Sequence, residues 1–117
     1  ARAYGRLLPD PLDVVILGMG EDGHTASLFP GSPALDERLE RVVAVTGEKP
    51  PFRRMTITPP VIESARDVLV LVAGAGKAAM LARALEGPLD ARNVPVQLAR
   101  GRSFVVDAAA ASALARR

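Results

Sequence analysis

Residues 13–17 form a short β-branched run, and the chain then reads LGMGEDGHTASLFPG over residues 17–31. A strand without polar alternation is expected to be buried on both faces, as in a parallel sheet. Gly18, Gly20 and Gly23 demand a tight turn at its carboxyl end. Residues 25–29 have room for only a turn or two of helix, because Pro30 and Pro33 forbid continuation. Strand, glycine turn and helix start together mark the place where open α/β sheets hold ligands.

The rest of the chain repeats that alternation. A helix is already under way in ARAYGRLL, with Tyr4, Leu7 and Leu8 at helical spacing. Strands are expected within residues 39–46 (RVVAV), at RRMTIT after residue 52, at DVLVLVAG from residue 67, and at SFVVD from residue 103. Pro59-Pro60 can occupy the first turn of a helix over residues 61–65. Gly74 and Gly76 open a helix over residues 77–85, which Gly87-Pro88 stop. RNVPVQLARG is expected to be irregular or a short helix, and Asp107 to cap an alanine-rich helix running to Arg116. This order predicts the α/β class with a mostly parallel, twisted sheet. At 117 residues and 49% hydrophobic content the chain matches a single domain with one core.

Two nucleotide readings of the glycine loop fail on chemistry. Gly18-x-Gly20-x-x-Gly23 has the spacing of a dinucleotide fingerprint, but Pro30 cuts off the long helix it needs. No acid ends the next strand to hold a ribose. Gly18-x4-Gly23-His24-Thr25 has the spacing of a phosphate loop, with His24 where its lysine belongs. In either reading Glu21 and Asp22 would place two carboxylates in the phosphate cradle, where they repel the ligand.

His24 is the only histidine. It follows a strand's carboxyl end, and the expected helix start would favour its neutral form. Asp22 is close enough in sequence to orient a ring nitrogen. A neutral, oriented imidazole beside a cleft is a general base, against the plainer reading of a capping or core histidine. Lys77 stands just past the strongest strand at a helix start, where a cation opposes the dipole unless an anion binds there. Of Arg53 and Arg54, at a strand edge, one could reach the same anion.

Composition removes other classes. Fifteen basic and 13 acidic residues are interspersed, giving +2, so the pI of 9.7 reflects a mixed surface and not a nucleic-acid stripe. Aromatic content of 3% offers no stacking platform for single strands. The longest apolar stretch, residues 68–73, is far below the ~20 residues of a membrane span. Without cysteine there are no disulfides, thiol catalysis or zinc-thiolate sites, which fits a cytoplasmic setting.

On these residues the chain resembles the 6-phosphogluconolactonase family, within the group that includes the glucosamine-6-phosphate deaminases. DVVILGMGEDGHTASLFPGSPAL (residues 13–35) carries the match. PPFRRMTIT (50–58), VLVLVAGAGKAAML (68–81), VPVQL (94–98) and FVVDAAAASAL (104–114) follow in the family's order. The resemblance implies a Rossmann-like three-layer sandwich with a mostly parallel sheet, of which residues 1–117 would be the carboxyl-terminal half. It implies hydrolysis of 6-phospho-D-glucono-1,5-lactone to 6-phospho-D-gluconate, the second step of the oxidative pentose phosphate pathway, with no metal or organic cofactor. His24 would activate water, with Asp22 beside it. Lys77 and Arg54 would meet the sugar phosphate, and backbone amides of Gly20 to Gly23 are candidates for binding substrate at the oxyanion.

The resemblance also sets the alternatives. Deaminases carry a glutamate five residues after the histidine; here that place is Phe29, which cannot move protons, so the lactonase is favoured. The other readings are a non-catalytic sugar-phosphate-binding module and an inactive fragment. Family members are roughly twice as long, and their other half brings a glycine-serine-rich phosphate loop. The chain opens on Ala1, so it is expected to begin mid-protein, and to self-associate or pair with that half.

Overall fold

The computed structural model describes residues 1–115. Helix α1 (Arg2–Leu7) leads to strand β1 (Val14–Leu17), followed by β2 (Val42–Thr46), β3 (Arg53–Ile57), helix α2 (Pro59–Ser64) and β4 (Asp67–Val72). A 3-10 turn at Ala75–Lys77 runs into α3 (Ala78–Glu86), and the last strand, β5 (Ser103–Val106), follows another 3-10 segment at Pro95–Ala99.

Strands β1, β4 and β5 form a parallel sheet in the order β1-β4-β5. The register pairs Leu17 with Val70 and Val72 with Val106. The carboxyl ends of β1 and β4 therefore lie side by side, and the loops that leave them meet. Strands β2 and β3 make a separate antiparallel hairpin, pairing Val42 with Ile57 and Thr46 with Arg53. The α/β class and the mostly parallel sheet are those expected from the sequence.

The core lies on one face of that sheet. Val15, Leu17, Val68, Val70 and Val72 point into it and pack with Ile62 of α2, Leu81 of α3, Val94 and Val96. Burial of such side chains stabilises the fold by about 1.5–3 kcal/mol each. The opposite face is uncovered: Val14 is 52% exposed and Ile16 64%, with Leu71 and Val105 half exposed beside them. The expectation that β1 is buried on both faces is thus corrected, because every element that packs on the sheet lies on the Val15 side. In α1 it is Gly5 that faces the protein, against the backbone of Val42, while Tyr4 and Leu7 are exposed.

Two expected helices are not formed. Residues 25–29 make a turn closed by the Leu28 N–H to the Thr25 carbonyl at 2.9 Å, with Ala26 at a φ of 51°. Their polar groups are taken from outside: the Thr25 hydroxyl donates to the Gly18 carbonyl at 2.7 Å, and Thr56 of β3 accepts from the Ser27 N–H at 3.1 Å. The alanine-rich end is a single 3-10 turn at Ala110–Ala113, followed by extended backbone at Leu114. There the Ala115 N–H turns to the Glu86 carboxylate at 3.0 and 3.1 Å; Arg116 lies outside the described residues. Asp107 does cap that turn, accepting from the Ala110 N–H at 2.8 Å.

Candidate functional site

The loop after β1 is folded on its own backbone. The Gly20 N–H donates to the His24 carbonyl and the Gly23 N–H to the Gly20 carbonyl, both at 2.9 Å. Gly23 adopts a φ of 88°, where L side chains are strained, and its carbonyl accepts from the Val96 N–H at 2.9 Å. The amides of Gly20 and Gly23 are therefore engaged within the loop, which removes both as free donors to an oxyanion.

This folding presents one side-chain pair. Asp22 Oδ1 lies 2.5 Å from His24 Nδ1 and also accepts from the His24 backbone N–H at 3.0 Å. Partial burial works to raise the Asp22 pKa, but the hydrogen bonds and charge of His24 outweigh it and hold the carboxyl below its ordinary range. An ionised Asp22 accepts only, so the proton of the neutral imidazole sits on Nδ1 and Nε2 carries the lone pair. Gly20 makes the room: a Cβ there would overlap Cε1 and Nδ1 of His24 and stand 2.8 Å from Asp22 Oδ1. The expected helix start does not exist at His24, so its ring is oriented by Asp22 and not by a helix end.

Lys77 comes from the other strand end. Its Nζ donates to the Met19 carbonyl, tying the turn after β4 to the loop after β1. The Glu21 carboxylate lies over the same turn, 2.9 Å from where a Gly76 Cβ would be. Gly18, Met19, Gly20, His24, Ala26 and Lys77 line a cleft of about 440 Å³. The fold thus brings together His24, Asp22, Gly20 and Lys77, which the sequence places up to 57 positions apart.

Arg54 stands elsewhere. It lines a larger groove, about 890 Å³, between residues 29–34 and the β2–β3 hairpin. Its Nε donates to the Pro51 carbonyl at 2.9 Å and a terminal nitrogen to the Lys49 carbonyl at 3.1 Å. Phe29 joins the two regions, its ring centroid 4.9 Å from that of His24, with the Arg54 guanidinium carbon 5.4 Å from the same ring. That link was missed in the sequence, where Phe29 marks only the absence of a glutamate. Gly23 faces away from the cleft, towards Met80 and Val94. Among the described residues no group of three or more His, Asp and Glu is placed to hold a metal ion, and no helix is long and apolar enough to cross a membrane.

The sequence and the fold are both similar to those of known proteins. The family model for glucosamine-6-phosphate isomerases/6-phosphogluconolactonase matches residues 1–107. The chain belongs to this family. The human 6-phosphogluconolactonase is 46% identical over 104 residues, which are 84% of this chain and 40% of that protein. The Mycobacterium tuberculosis 6-phosphogluconolactonase is 50% identical over 91 residues, 77% of this chain and 36% of the relative. The solved 6-phosphogluconolactonase of Trypanosoma brucei superposes with a TM-score of 0.81 at 36% identity, over 97% of this chain and 52% of that one. The chain thus spans about half or less of the family members it matches.

Proposed function

We propose that the chain carries the base-bearing part of a 6-phosphogluconolactonase, which hydrolyses 6-phospho-D-glucono-1,5-lactone to 6-phospho-D-gluconate. The observation that carries the reading is the Asp22–His24 pair, with Nδ1 held at 2.5 Å and the imidazole bordering the cleft that Lys77 shares. The names of the relatives supply the substrate.

In this reading a water at Nε2 loses a proton to the imidazole as its oxygen bonds to the lactone carbonyl carbon. Asp22 keeps the ring in the productive tautomer and stabilises the imidazolium. When the tetrahedral species collapses, the ring oxygen of the lactone leaves and takes the proton from Nε2, opening the ring to the hydroxy acid. The Lys77 ammonium is the cleft's cation and takes an anionic part of the substrate, which the phosphate supplies. Lactone and water go to 6-phosphogluconic acid without an electron carrier.

The test is the rate of acid release from freshly made lactone, against spontaneous hydrolysis. The expected result is an excess rate that His24→Asn lowers by about 10²- to 10⁴-fold. Lys77→Met is expected to raise KM. A folded chain that binds 6-phosphogluconate yet gives no excess rate would overturn the reading in favour of a binding module.

A further inference from the structure

Phe29 is the residue beside His24 that the proton transfers leave without a role, although it is the base's nearest aromatic neighbour. The two ring centroids lie 4.9 Å apart with planes tilted by 48°. The Phe29 ring also receives the Arg54 guanidinium, whose central carbon is 5.4 Å from the ring centroid. That guanidinium is itself held. Pro51 and Lys49 accept from it through their backbone carbonyls at 2.9 and 3.1 Å. Gly47 leaves the space that it fills, since a Cβ there would stand 2.5 Å from Nε.

The hydrogen bond to Asp22 fixes one nitrogen of the imidazole but leaves the ring free to pivot about the line joining Nδ1 to Oδ1. Gly20 backs the ring at its Cε1 and Nδ1 edge, the edge already tied to Asp22. A third contact is needed to fix the direction of Nε2, and the ring of Phe29 supplies it. The geometry points to Phe29 as a positioning residue for His24, with Arg54 as the clamp that seats Phe29 and not as a ligand for the substrate's phosphate. The hairpin end therefore sets the aim of a base carried on a different strand. This assignment rests on His24 acting as the base, but the contact itself can be read without turnover.

The experiment compares the wild-type chain with Phe29→Leu, Phe29→Tyr and Arg54→Met, with folding checked by circular dichroism. Proton NMR of the His24 ring should show an aromatic ring-current displacement that Phe29→Leu abolishes, Phe29→Tyr restores and Arg54→Met reduces. On lactone, Phe29→Leu should lower kcat by about 10- to 100-fold, the usual cost of a misaligned reacting group, with KM within twofold. Phe29→Tyr should recover most of it, and Arg54→Met should lower kcat in the same sense with KM unchanged. Loss of the ring-current signal with kcat intact would overturn the positioning role. A raised KM with intact kcat in Arg54→Met would overturn the clamp and return Arg54 to the phosphate. No turnover in the wild type would instead sink the lactonase reading, while the NMR arm still decides whether Phe29 and Arg54 fix the ring.

Discussion

At the scale of single residues, two glycines in one loop do different work. Gly20 has room for nothing larger, because the imidazole of His24 and the Asp22 carboxylate fill the place of its Cβ. Gly23 is buried with a φ of 88°, and a Cβ there would press on Met80 Sδ at 3.1 Å and Val94 Cγ1 at 3.3 Å. Gly20→Ala should therefore disturb the site more than the fold. Its expected signature is a drop in lactone kcat of about 10²-fold, with a melting temperature within a few degrees of wild type. Gly23→Ala should do the reverse in order of severity, destabilising by about 1–3 kcal/mol in a denaturant titration. Equal losses of stability in the two variants would show that the loop is only a scaffold. The histidine and its carboxylate were legible in the sequence because two residues apart is a local relation. Of the amides of Gly20 to Gly23 expected at an oxyanion, those of Gly20 and Gly23 close the loop on itself. Spacing alone cannot say where an amide points.

Among the elements, the strands and helices α1, α2 and α3 were legible, and the helices expected over residues 25–29 and after Asp107 were not. The strand-forming runs at β1, β4 and β5 have strong β-branched or aliphatic character and nothing competing for their backbone. At residues 25–29 and after residue 107 the helix expected from local propensity loses to long-range hydrogen bonds, from Thr56 in one case and from Glu86 in the other. Asp107 shows how the end of β5 is tied down. Its carboxylate accepts from the Ala110 N–H and from the Gly74 N–H at 2.8 and 3.1 Å, joining the last turn to the turn before α3. These backbone donors, Ala110 first and Gly74 next, hold the Asp107 pKa below its ordinary range against a small opposing effect of burial. A carboxyl whose folded pKa is depressed adds stability above its unfolded pKa, and that share is lost as pH falls through the folded value. Asp107→Asn should therefore be less stable than wild type at pH 7, and the gap should close below about pH 4, the ordinary carboxylate range. Urea midpoints of both proteins at pH 7 and pH 3 check this. A gap independent of pH would mean that the shape of the side chain, and not its charge, makes the tie.

For the whole molecule the decisive fact is the sheet with one covered face. The apolar run of β1 predicts burial on both sides, and Val14 and Ile16 instead stand exposed, with Leu71 of β4 and Val105 of β5 on the same surface. Parallel sheets are normally covered on both faces, and the solved relative from Trypanosoma brucei is about twice as long as this chain, long enough to supply a second layer. Within 117 residues that surface has no internal partner among the described elements. Each square ångström of it removed from water is worth about 25 cal/mol, so two such faces meeting would gain from every aliphatic side chain they cover. The 117-residue chain should accordingly associate with itself at high concentration, through this face and along the open edge of β1. Sedimentation velocity over a hundredfold range of concentration should show a rising average mass. Ile16→Lys with Leu71→Lys should shift it back to the monomer while circular dichroism stays the same, because neither side chain reaches the Val15 side of the sheet. A chain that sediments as a monomer throughout would show that the exposed aliphatic face is too small or too interrupted by Asp67 and Ser103 to hold a second copy.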